Sequence, residues 1–181
     1  MKKLIVLLLA LVLLLSACGV NPTFEADRES ATALNETSGR AMDATPSLAF
    51  EFTDFDGNTV SLSDFAGRSV YVKFWSSWCS ICLSTLSETD ELSGESNDFA
   101  VITVVAPGYN GEKSAEDFKT WYTELGYENI LVLFDSDAKY LQEFGVRVFP
   151  SSAFIDADGS LIGFSAGYTA NETIKETFSE H

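Results

Sequence analysis

Trp78-Cys79-Ser80-Ile81-Cys82 follows, two serines on, the apolar run Val70-Tyr71-Val72-Lys73-Phe74-Trp75, and that junction constrains the chain more than any other feature. The run has the length and the β-branched and aromatic content of a buried strand. The two thiols, three apart, share a face only on a helix. At the first turn of such a helix, unpaired N–H groups favour the Cys79 thiolate, and the neighbouring thiol can break a mixed disulfide before it persists. Zinc would need about four ligands, but the only other cysteine is Cys18 and the sole histidine is His181. A disulfide that staples a fold gains most by closing a long loop, and this one would close almost none. A strand, then CxxC, then a helix in an α/β pattern therefore points to redox chemistry and to no metal site.

The N-terminus bears on where that chemistry happens. Lys2 and Lys3 precede the apolar run Leu4 to Leu15, 12 residues long, and Leu15-Ser16-Ala17-Cys18 follows. Such a run is far short of the roughly 20 residues a spanning helix needs, and it reads as a secretory signal peptide over residues 1–17. Leu15-Ser16-Ala17-Cys18 is similar to the lipobox of bacterial lipoproteins, which implies cleavage before Cys18, lipid on Cys18, and a protein anchored to the outer face of the cell membrane. Residues 18–46 are polar and rich in Ser, Thr and Ala, and they read as a flexible tether with a reach of roughly 30 Å. The formal charge is −16, and without Lys2 and Lys3 it becomes −18, with 9 basic residues against 27 acidic. That balance excludes nucleic acid as a partner and makes lipid, not charge, the means of holding the membrane.

Residues 47–181 suit one α/β domain. Leu48-Ala49-Phe50-Glu51-Phe52 and Thr59-Val60-Ser61-Leu62 flank the hairpin signal Asp56-Gly57-Asn58. The strand over 69–75 leads into a cysteine helix predicted to run to about Leu92, followed by a strand at Phe99–Val105. Ser114-Ala115-Glu116-Asp117 predicts a capped helix to about Leu125, with Phe118, Trp121, Tyr122 and Leu125 on one face. Ile130–Phe134 reads as a buried strand, and Asp135-Ser136 as the cap of a helix carrying Tyr140, Leu141 and Phe144. Ala153-Phe154-Ile155 and Leu161–Phe164 form a second hairpin across Asp158-Gly159, and Thr169-Ala170-Asn171-Glu172 is predicted to cap a terminal helix.

With these motifs in place, the chain resembles the thioredoxin superfamily, and within it the membrane-tethered TlpA/ResA-like branch. Phe74-Trp75-Ser76-Ser77-Trp78-Cys79-Ser80-Ile81-Cys82 is similar to that branch's active-site signature, and Phe144-Gly145-Val146-Arg147-Val148-Phe149-Pro150 to the segment ending in its cis-proline. The N-terminal β-hairpin and a central helix-strand insert at about 107–134 match as well. The resemblance implies a thioredoxin-like fold and a thiol–disulfide oxidoreductase, with Cys79 attacking, Cys82 resolving, and Pro150 facing them through a cis bond. It also implies that Trp78 and Phe149 line the substrate groove. The dithiol itself carries the electrons, so no cofactor is implied, and a monomer is expected.

Two positions depart from the family pattern. Lys73 stands where many members have an acid or Asn, and either tunes the cysteine pKa or points away to cap a sheet edge. Thr85 stands where cytochrome-maturation members often have Glu, which points away from an apocytochrome client. Ser80-Ile81 brings no charge or imidazole between the cysteines, which favours a reductase over a strong oxidase. The expected role resembles that of Gram-positive surface lipoproteins that take electrons from a membrane thiol transporter of the CcdA/DsbD type, with methionine sulfoxide reductase as a candidate client. The alternatives are a disulfide-forming oxidase, a cytochrome c maturation thioredoxin, a peroxiredoxin using Ser76 and Cys79, and a surface-binding lipoprotein without enzymatic activity. Val72, in the place of that third family's proline, argues against the peroxiredoxin.

Overall fold

The computed structural model describes residues 49–181, so the predicted signal peptide, Cys18 and the predicted tether lie outside the described residues. β1 (Glu51–Thr53) and β2 (Thr59–Ser61) form the first hairpin, with Phe52 opposite Val60. Asp54 makes the turn, accepting from the backbone N–H groups of Asp56 and Asn58, while Gly57 takes the positive φ of 85° that an L side chain resists. β3 (Ser69–Phe74), β4 (Phe99–Val105) and β5 (Val132–Phe134) run parallel to one another. β6 (Ser151–Ile155) pairs antiparallel with β3, and β7 (Leu161–Ala166) antiparallel with β6. The seven-stranded sheet has the order β2-β1-β5-β4-β3-β6-β7.

β3 is thus an interior strand, and its alternating side chains feed two cores. Val70, Val72 and Phe74 join Phe52, Ile102, Val104, Leu133, Leu141 and Ile155 on one face. Tyr71 and Trp75 point the other way, Tyr71 toward Leu92 and Ile174, Trp75 toward Leu86, Phe118 and Tyr122. Lys73 lies between them in sequence and is buried on that same face, which overturns the reading of it as a cap on a sheet edge.

The helices differ from expectation mainly at their ends. The cysteine helix is two helices, α1 (Ser80–Ser84) and α2 (Leu86–Gly94), broken at Thr85 (φ −113°, ψ 9°). Thr85 turns its hydroxyl back onto the Ile81 and Cys82 carbonyls, the local competition by which a Thr bends a helix. α3 (Ala115–Thr123) is capped by Ser114 as its box predicts, but it stops short of Leu125, which is left exposed. α4 (Lys139–Glu143) starts after Ala138, held at φ 53°, and the Asp135 carboxylate accepts from the Leu141 N–H. α5 (Asn171–Ser179) has Ala170 as its N-cap and no side-chain cap, because the Thr169 hydroxyl is turned to Ser152. Among the described residues no helix is long and apolar enough to cross a membrane.

Candidate active site

The site forms where β3 ends and its chain swings into α1. Trp75 is fully buried at the strand's end, with its ring near Phe118, Trp121 and Tyr122, so the aromatic stripe predicted on α3 is the floor on which the redox loop is built. Ser76 and Ser77 are buried, the Cys79 N–H donates to the Ser76 carbonyl at 3.2 Å, and Trp78 emerges half exposed. Cys79 is the N-cap of α1, and its Sγ accepts from the Cys82 N–H at 3.1 Å. A helical N–H therefore already points at the sulfur that would carry negative charge after reduction.

Cys79 and Cys82 are joined by a disulfide. The two sulfurs are not equivalent: Cys79 is 7 % exposed and Cys82 0 %. Of the pair, only Cys79 keeps any exposed surface. Opposite them the Phe149-Pro150 peptide bond is cis, and the Phe149 carbonyl oxygen lies 3.5 Å from Cys79 Sγ. The Phe149 ring meets the Trp78 ring edge to face at 5.7 Å. Ile81 and Val148, next in sequence to Cys82 and Phe149, are exposed apolar side chains. The structure brings together Trp78, Cys79, Cys82, Phe149 and Pro150 from two segments some 70 residues apart.

Lys73 approaches from beneath. Its Nζ donates to the Thr89 hydroxyl at 2.6 Å and the Thr85 hydroxyl at 3.2 Å, and Thr85 in turn donates to the Cys82 carbonyl. Burial pulls the ammonium down to about 8, with the charge of Glu88 acting in the opposite direction. Lys73 is thus linked through one threonine to the backbone of the buried cysteine.

One residue escaped the sequence reading. Glu112 is buried, and its carboxylate accepts from the Ser77 N–H at 2.6 Å, from the Ser77 hydroxyl and from the Lys113 N–H at 2.7 Å. The sequence offered only an indirect signal, a Glu set in the turn-forming run Pro107-Gly108-Tyr109-Asn110-Gly111 just before a helix cap.

Comparison with known proteins agrees with this geometry. The family model described as Redoxin matches residues 40–178. The chain is 47 % identical to the crystal structure of the pneumococcal exposed lipoprotein thioredoxin of Streptococcus pneumoniae, covering 74 % of this chain and 100 % of that one with a TM-score of 0.70. It is 41 % identical to an uncharacterized protein of Haemophilus influenzae (69 % of this chain, 81 % of the other) and 27 % identical to the thiol-disulfide oxidoreductase ResA of Bacillus thuringiensis (70 % and 71 %). A CxxC disulfide at the end of a central parallel strand, a cis-proline beside it, and these relatives identify a thiol–disulfide oxidoreductase of the thioredoxin superfamily. The chain belongs to the redoxin family, in its TlpA/ResA-like, thioredoxin-fold branch.

Proposed function

We propose that this oxidoreductase works outside the cytoplasm as a reductase, held to the membrane by lipid on Cys18 and fed electrons by a membrane dithiol carrier of the CcdA/DsbD type. The observation that carries the exchange is the unequal cover of the two cysteines, Cys79 keeping 7 % of its surface exposed and Cys82 none. In the reduced protein the Cys79 thiolate attacks one sulfur of a client disulfide. A Cys79–client S–S bond forms, the client's own S–S bond breaks, and the thiolate that leaves takes up a proton. Cys82 then gives up its proton, and its sulfur attacks Cys79 Sγ. The Cys79–Cys82 bond forms and the second client thiolate departs with that proton. Two electrons and two protons have passed to the client, and a donor dithiol restores the pair by the same steps in reverse.

Trp78, Phe149 and Pro150 serve this cycle as the groove that orients an extended client chain across Cys79, with the backbone before Pro150 available to pair with it. The reductive direction is supported by Ser80-Ile81, which gives the thiolate no neighbouring charge or imidazole to stabilise it. Export and anchoring are supported by the run Leu4–Leu15 with Leu15-Ser16-Ala17-Cys18, and by the likeness to a pneumococcal protein described as an exposed lipoprotein thioredoxin. Methionine sulfoxide reductase is the client class to test first.

The test has two parts. Cys82→Ser should accumulate a mixed disulfide through Cys79 with its client, and Cys79→Ser should not; equal trapping by both would reverse or void the assignment. Equilibration with dithiothreitol or glutathione should give a potential nearer thioredoxin's roughly −270 mV than the roughly −120 mV of a strong oxidase. A potential at the oxidising end would replace the reductase with a disulfide-forming oxidase.

A further inference from the structure

Glu112 reaches the redox loop from the segment between β4 and α3, and nothing in the exchange mechanism requires it. That segment is built to hold it still. The Tyr109 N–H donates to the Ala106 carbonyl, the Glu112 N–H to the Tyr109 carbonyl at 2.9 Å, and the Gly108 N–H to the Lys113 carbonyl at 2.9 Å. Asn110 (φ 48°) and Gly111 (φ 84°) turn the chain so that residue 112 points inward. A Cβ on Gly111 would come within 3.9 Å of Trp78 Nε1, so this turn runs alongside the exposed face of the site. The Glu112 side chain is buried, and three donors converge on its two oxygens, the pattern a carboxylate satisfies as an acceptor alone.

Two of those donors belong to Ser77, two residues before Cys79, and two residues of chain span at most about 7 Å. A carboxylate fixed there, out of water, opposes formation of a second negative charge on the Cys79 sulfur. We propose that Glu112 is a positioning residue of the redox site: it clamps the Ser76-Ser77-Trp78 loop to the insert and, by its charge, keeps Cys79 a weaker acid and a more reducing thiol than the bare CxxC turn would make it. The inference rests on thiol–disulfide exchange at Cys79 and Cys82 and is independent of the direction of electron flow.

The other charges around the loop act differently. Lys113 donates from Nζ to the Ser77 hydroxyl at 3.3 Å and sits over the Trp121 ring, which offsets part of the carboxylate's field. Lys73 lies behind Cys82, Glu88 acts on Lys73 from α2, and Arg147 is the charged residue of the cis-proline segment, exposed to solvent. Among the described residues, Glu112 is the acid whose side chain hydrogen-bonds the loop that carries Cys79 into α1.

The experiment uses the reduced full domain and the iodoacetamide alkylation rate of Cys79 against pH. Glu112→Gln keeps the volume and removes the charge, and its alkylation midpoint should fall by about half a pH unit or more. A folded Glu112→Gln protein whose profile superimposes on the wild type overturns the proposal. Because that variant also loses one of the two acceptor oxygens on which the Ser77 and Lys113 donors converge, the reciprocal effect is read in the unaltered protein. With carboxyl-labelled glutamate, the Glu112 carboxyl resonance should move with an inflection at the Cys79 alkylation midpoint, and should lose that inflection when the disulfide is formed. Its absence in the reduced wild type overturns the proposal even if the variant cannot be folded. Neither readout involves a client, so a wild type that fails to reduce insulin disulfides counts against the reductase reading alone.

Discussion

Lys73 shows how a single residue can be recognisable in the sequence while its environment is not. Its position, six before the first cysteine on an apolar strand, marks it as out of place. Its partners, the hydroxyls of Thr85 and Thr89, lie 12 and 16 residues on, and only the fold puts them together. Burying an ammonium against hydroxyls instead of a carboxylate costs stability, and burial sets the direction of the pKa. The folded value of about 8 lies below the ordinary 10.5, so between those two pH values the unfolded chain binds more protons than the folded one, and stability rises with pH. Below pH 8 the full penalty applies. At about 1.4 kcal/mol per pKa unit it is on the order of 3 kcal/mol. Lys73→Met leaves both threonine hydroxyls bonded to helix carbonyls. It should raise stability by about 1–3 kcal/mol in denaturant titrations at pH 7, with the gain shrinking toward pH 10. The same variant should raise the alkylation midpoint of Cys79, because an ammonium that favours thiolate has gone. A gain that stays constant from pH 7 to 10 would mean that Lys73 is not titrating where the geometry places it.

Among the elements, those with chemical punctuation were legible and those shaped by long-range partners were not. The hairpins follow from Asp-Gly turns, and α3 from the box Ser114 to Asp117, where the Ser114 hydroxyl accepts from the Asp117 N–H at 3.1 Å and donates to the Asp117 carboxylate at 2.7 Å. The break at Thr85 has no Gly or Pro to announce it. It arises because one hydroxyl serves both the preceding helical turn and Lys73. The cap predicted at Thr169 failed for a similar reason, since Ser152 across the sheet took its hydroxyl. The redox pair and its proline were legible because Cys and Pro have few bland roles at such spacing, whereas Glu112 is one acid among 27. For α3 the expected consequence is direct: Ser114→Ala should lose about 1 kcal/mol of stability in urea unfolding. Since Phe118 and Tyr122 of that helix lie against Trp75, the loss should come with altered near-ultraviolet circular dichroism of the buried tryptophan, and an unchanged unfolding midpoint would show that the cap contributes nothing.

At the scale of the whole molecule, anchor and chemistry are separate parts of the proposal. The described domain carries its redox pair, its cis-proline and both cores within residues 49–181. Cys18→Ala should therefore yield a protein released from the membrane that still reduces insulin disulfides at the wild-type rate in solution. Retention of an uncleaved Cys18→Ala protein in the membrane fraction would make the apolar run an anchor in its own right. The burial of Cys82 has one more consequence, for traffic rather than for bonding. Under the proposed mechanism a disulfide with one approachable cysteine is a turnstile: client and donor would both pass through Cys79, so each would exclude the other, and turnover would alternate between them with no three-protein assembly. An abundant client would then slow its own supply of electrons by occupying the gate.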